Sequence, residues 1–196
     1  MAMLKWLPNI LTSLRIVLTV VWIYLIRLVE VNEAHKTLIN AAVILFIIIC
    51  LTDLIDGKVA RKTKASSRFG SYFDVTADLI FISSSNIVLS LYGLVPRWFI
   101  LVIIFKFSEF LITSKLIKKY DDLKSSFFVF DHLGRVAAVN FFLIPGAFML
   151  GYEGLDLRYG YILLYITLML VIISAFSRIW RCHKVWNKMR TREKFV

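Results

Sequence analysis

Apolar residues fall in six long blocks, near positions 9–29, 37–59, 70–92, 97–117, 134–151 and 160–182. About 20 apolar residues are needed to cross ~30 Å of hydrocarbon as a helix. The pattern therefore predicts an all-α integral membrane protein with six transmembrane helices. The third block opens on Asp74 and Asp78, and the fifth contains Pro145-Gly146, so these two are the weakest spans. The polar breaks between blocks are short and leave no room for a soluble domain, so residues 1–196 are expected to form one membrane-embedded domain. Ahead of the first block, Leu4, Trp6, Leu7 and Ile10 accompany Lys5. That stretch suits a short interfacial N-terminal helix, and equally the plain beginning of the first span.

Composition narrows the class. The chain is 59% hydrophobic and only 19% charged, against roughly 25% charged in ordinary soluble domains. Disorder, a collagen-like fibre and a disulfide-stapled secreted domain are excluded. The net charge of +11 would suggest nucleic acid in a soluble chain, but here the basic residues sit at the edges of the apolar blocks. Lys58, Arg61, Lys62, Lys64 and Arg68 share one side with Lys115, Lys118, Lys119, Lys124, Arg135 and the basic tail from Arg178 to Lys194. The opposite side holds Arg27, Lys36, Arg97 and Arg158. The positive-inside rule then puts both termini in the cytoplasm, and no nucleic-acid partner is expected. Cys50 and Cys182 show no metal-like spacing, and no disulfide is expected between them. No cleavable leader is expected either, because the first apolar block is long and carries Arg15.

Carboxylates are expensive in a membrane, so each needs an account. Four of them, Asp53, Asp56, Asp74 and Asp78, gather around the short basic link between the second and third blocks. The first pair is spaced i, i+3 and the second i, i+4, so each pair lies on one helix face. A short link makes the two helices antiparallel neighbours, which brings the pairs together. Unpaired carboxylates so placed would repel. A divalent cation resolves the repulsion, and an all-oxygen carboxylate site suits Mg²⁺, Mn²⁺ or Ca²⁺. The competing account pairs them with Arg61, Lys62 or Arg68. Gly57, Ala60 and Gly70 favour a ligand, since small residues let one approach closely.

The run Asp53-Leu-Ile-Asp56-Gly57-Lys-Val-Ala60-Arg61, then Gly70, Asp74 and Asp78, resembles the signature of the CDP-alcohol phosphotransferases, with every fixed position at the right spacing. The resemblance implies transfer of a substituted phosphate from a CDP-linked alcohol to an acceptor hydroxyl, with release of CMP. It implies that Asp53, Asp56, Asp74 and Asp78 bind metal and that Asp78 is the general base. Asn9, Thr12, Asp53, Gly57, Arg61 and Ser67 would contact the CDP part, and the protein would be a homodimer. The active site would face the cytoplasm at the cell membrane.

The opening Trp6-Leu-Pro-Asn-Ile-Leu-Thr-Ser-Leu-Arg15 is similar to the start of bacterial phosphatidylglycerophosphate synthases. That similarity implies CDP-diacylglycerol as donor and glycerol 3-phosphate, a water-soluble phosphorylated alcohol, as acceptor. The chain departs from the usual pattern of those enzymes at Asp74-Val-Thr-Ala-Asp78-Leu, Ser108-Glu109 and Gly134-Arg135-Val-Ala-Ala. Inositol phosphate, serine or another phospholipid's headgroup are the rival acceptors. Lys115, Arg135 and Arg178, near cytoplasmic span ends, are candidates to bind an acceptor phosphate. The Lys106–Glu109 pair, spaced i, i+3, is expected to neutralise itself inside the fourth span, and His132 to lie at the surface. A cation channel or transporter is the alternative from another class, but such sites usually lie near the midplane and these acids cluster at one end. A catalytically dead scaffold would lack part of the signature, and no motif residue is missing.

Overall fold

The computed structural model describes residues 3–31, 36–63, 68–120, 132–152 and 154–193. Among them are six α-helices: α1 Met3–Val31, α2 Lys36–Thr63, α3 Arg68–Leu91, α4 Trp98–Tyr120, α5 His132–Tyr152 and α6 Arg158–Glu193. They coincide with the six apolar blocks. Among the described residues four stretches are long and apolar enough to cross a membrane, against the six expected: Lys36–Ile55, Tyr72–Leu91, His132–Tyr152 and Arg158–Lys184. The two weakest expected spans are among them. α1 is unbroken from Met3 to Val31, so the residues expected to form a separate interfacial helix continue directly into the first long one.

The ends of α3 and α5 use the same device. Gly93 and Gly154 adopt positive φ, 77° and 115°, a conformation glycine reaches without a Cβ penalty. In each case the next amide turns back five residues, Leu94 to the Leu89 carbonyl and Leu155 to the Leu150 carbonyl. These bonds satisfy carbonyls that a helix end would otherwise leave orphaned. After the second turn, Asp156 Oδ1 accepts the Arg158 amide at 2.9 Å and caps the start of α6.

The chain divides into two compact units. The first holds α1, α2, α3 and residues 142–161; the second holds residues 98–141 and the remainder of α6. In the first unit α1 packs on α2 and α3. Its buried face reads Thr12, Arg15, Thr19, Trp22, Ile26 and Val29, the three-and-four spacing of one helix stripe. Trp22, Phe46, Phe81 and Phe142 form an aromatic cluster, with Phe81 and Phe142 centroids 4.4 Å apart. The Trp22 indole donates to the Ala42 carbonyl at 2.9 Å. Gly146 follows Pro145 in α5, and a Cβ there would overlap the Phe46 ring. Gly146 thus admits the Phe46 side chain of α2 against α5. Cys50 and Cys182 are free thiols.

Candidate active site

Below the aromatic cluster the buried stripes of α1, α2 and α3 turn from apolar to ionic. Arg15 lies seven residues before Trp22, Asp53 seven after Phe46, and Asp78 three before Phe81, so each charge shares a helix face with an aromatic. Asp53, Asp74 and Asp78 each bring a carboxylate oxygen to a common point, the three oxygens lying within 4.8 Å of one another. Their side chains are 37%, 43% and 32% exposed, so the cluster opens to the outside.

Behind it lies Arg15, with its side chain fully buried. One terminal nitrogen is 2.8 Å from Asp53 Oδ1. The other is 3.3 Å from Asp74 Oδ1 and also contacts Asp78 Oδ1. Among the described residues a counter-cation thus comes from α1; the side chains of Arg61, Lys62 and Arg68, the expected partners, lie outside those described. Sequence reasoning missed this residue. Two signals pointed to it: an ionisable side chain inside an apolar block, and its place on the same stripe as Thr12, Thr19 and Trp22.

The other expected site residues divide by location. Thr12 is buried one turn before Arg15 on the same face of α1, and Asn9 is half-buried, its carbonyl accepting the Ser13 hydroxyl at 2.9 Å. Asp56, Gly57 and Arg61 lie on α2, their side chains outside those described, and Ser67 lies outside the described residues. Lys115 and Arg135 are exposed on α4 and α5 in the second unit, as is His132.

Arg178, on α6, is buried in a second ionic cluster. Its Nε is 3.0 Å from Glu109 Oε1 and 2.8 Å from Thr113 Oγ1. One terminal nitrogen donates to Thr113, to Ser114 at 3.0 Å and to the Phe110 carbonyl at 3.2 Å. The guanidinium also lies over the Phe110 ring, 5.0 Å from its centroid. Lys106 Nζ reaches the other Glu109 oxygen and Ser174 Oγ, both at 2.8 Å. The Lys106–Glu109 pair is therefore not self-contained: Arg178 makes it a triad with two cations on one carboxylate.

Helices long and apolar enough to cross a membrane, with three carboxylates converging on a buried arginine, define a membrane protein with an ionic site. The family model for CDP-alcohol phosphatidyltransferase matches residues 5–173, and the chain belongs to that family. It is 35% identical over 114 residues to the CDP-diacylglycerol--glycerol-3-phosphate 3-phosphatidyltransferase of Bacillus subtilis, covering 55% of this chain and 58% of that protein. It is 30% identical over 186 residues to the protein of the same name from Rickettsia typhi, covering 91% and 98%. A Mycobacterium tuberculosis protein named for cardiolipin synthesis is 32% identical over 97 residues, covering 50% and 43%. The matched stretch thus spans little more than half of the Bacillus relative, less than half of the mycobacterial one and nearly all of the rickettsial one.

Proposed function

We propose that the chain transfers the phosphatidyl group of CDP-diacylglycerol to glycerol 3-phosphate, releasing CMP and forming phosphatidylglycerophosphate. The observation that carries this reading is the convergence of Asp53, Asp74 and Asp78 within 4.8 Å in the family's own motif. The relatives named for this reaction, one matched along nearly its whole length, support the acceptor.

The residues fit a divalent metal. The donors are all carboxylate oxygens, open on one side, and their mutual reach is a little over twice the ~2.1 Å Mg–O distance. Asp53, Asp74 and Asp78 would hold Mg²⁺ or Mn²⁺, with Asp56 beside them on α2. Bound there, the metal supplies charge neutralisation for the diphosphate and the departing CMP. In the reaction the acceptor hydroxyl oxygen bonds to the phosphorus that bears diacylglycerol. The bond from that phosphorus to the bridging oxygen breaks, and the bridging oxygen leaves on CMP. Asp78 takes the hydroxyl proton. Asn9, Thr12, Gly57, Arg61 and Ser67 would contact the CDP part. Lys115, Arg135 and Arg178 are the cations proposed for the acceptor phosphate, and Arg178 would act with Glu109 already bound to it.

The same reading has six spans, both termini and the active site on the cytoplasmic side of the cell membrane, and a homodimer. The asymmetry of basic residues supports the orientation. A phospholipid acceptor, phosphatidylglycerol, is the second reading, favoured by the mycobacterial relative. CMP release by the purified chain in mixed micelles of CDP-diacylglycerol with Mg²⁺ or Mn²⁺ tests both. Acceptors are offered singly: glycerol 3-phosphate, phosphatidylglycerol, inositol phosphate, inositol and serine. Release with glycerol 3-phosphate, abolished by chelator, is expected. Release with another acceptor alone replaces the product, and release with none from folded protein removes the reading.

A further inference from the structure

We infer that Arg15 is a positioning residue of the carboxylate site: its buried guanidinium holds one oxygen each of Asp53, Asp74 and Asp78 and so presets the arrangement in which they take a divalent cation. The inference rests on the metal-dependent reading above and assigns a role to a residue that reading leaves unused.

Three features carry it. The first is the fork. One terminal nitrogen serves Asp74 and Asp78, a turn apart on α3, while the other serves Asp53 on α2. A planar guanidinium on α1 therefore bridges both carboxylate-bearing helices at once. An ammonium is a point charge on a flexible stem and cannot reproduce that geometry. The second feature is sidedness. Arg15 is fully buried whereas its three partners are each about a third or more exposed. The guanidinium thus lies on the closed side of the carboxylates, and a cation arriving from solution meets the open side. The third is the surrounding stripe. Thr19 Oγ1 donates to the Arg15 carbonyl at 2.7 Å, and Thr12 and Trp22 are buried on the same face. Arg15 therefore emerges from a packed part of α1.

Charge alone makes the opposite prediction. Three carboxylates and one guanidinium carry a net charge of about −2, and without Arg15 about −3. If Arg15 acted only as a counter-charge, or occupied the place of the metal, its removal would tighten cation binding. If it orients the oxygens, its removal weakens binding. The sign of the change decides.

The experiment is Mn²⁺ titration of the detergent-purified full chain, with free ion counted by electron paramagnetic resonance. Wild type is compared with Arg15→Lys and Arg15→Gln, each shown to keep its helix content and elution volume. Outer-shell partners of metal ligands typically contribute 10–100-fold in affinity, so a weakening of about that size is expected in both variants. Unchanged or tighter binding in a folded variant would overturn the inference. If Arg15→Gln does not fold, Arg15→Lys decides. If neither folds even with Mn²⁺ present, the inference also falls, since Arg15 would then serve the fold and not the cation. The two readings fail separately. Absence of Mn²⁺ binding by wild type removes the metal-dependent function itself, whereas wild-type binding that Arg15 variants leave untouched removes only this inference.

Discussion

The two units each enclose an ionic cluster, and the clusters are inverted copies in charge. In the first unit one cation, Arg15, faces three carboxylates that are open to the outside. In the second, two cations face one carboxylate, and Lys106, Glu109 and Arg178 are all buried. Among the described residues the open cluster keeps an excess of negative charge, which an arriving cation can offset. The closed one spreads its excess positive charge over hydroxyls of Thr113, Ser114 and Ser174, the Phe110 carbonyl and the Phe110 ring. Openness, more than the presence of charge, distinguishes the two clusters: one is partly exposed and the other is buried.

Three substitutions sharpen that contrast. The largest effect is expected at the open cluster. Asp78→Asn removes the proposed base and should lower CMP release by about 10²–10⁴-fold, with circular dichroism and elution unchanged. Equal loss of fold and activity would instead make Asp78 structural. Next comes Glu109→Gln in the closed cluster, which strands two buried cations. Breaking a buried ion pair from one side costs about 3–5 kcal/mol, so thermal unfolding in detergent should shift markedly downward. The smallest effect is expected for Lys106→Met, which leaves Glu109 paired with Arg178 and puts an apolar chain of similar length in the gap. Replacing a buried charge by a well-packed apolar side chain is often near neutral. The melting temperature should move by no more than a few degrees, and a loss as large as that of Glu109→Gln would show that Lys106 is needed where two cations share the carboxylate.

The helices were legible because a spanning segment is written in one unbroken run of chain. Even the weak third and fifth blocks became helices: Asp74 and Asp78 lie in the first half of α3 and are paired with Arg15, and Gly146 is there to admit the Phe46 ring. The carboxylate cluster was legible for a related reason, since i, i+3 and i, i+4 spacings fix a face before any tertiary contact is known. Arg15 was not, because its partners Asp53, Asp74 and Asp78 lie on two other helices, the last two 59 and 63 residues away, and spacing along the chain says nothing about which helix comes alongside. Arg178 was named as a phosphate ligand from its position at a span end, and its grip on Glu109, 69 residues away, is likewise a fact of packing.

The aromatic cluster carries a consequence for how such a protein can change over generations. Trp22 lies seven residues from Arg15, about 10 Å along the helix axis at 1.5 Å per residue, and Phe46 stands equally far from Asp53. These rings set the rotational angle of each helix, and a helix is stiff enough to deliver that angle two turns away. A change of ring volume would become an error of aim at the carboxylates, and in the proposed reaction a displacement of about 1 Å can cost 10²-fold in rate. Residues that carry no charge thus inherit the tolerance limits of those that do.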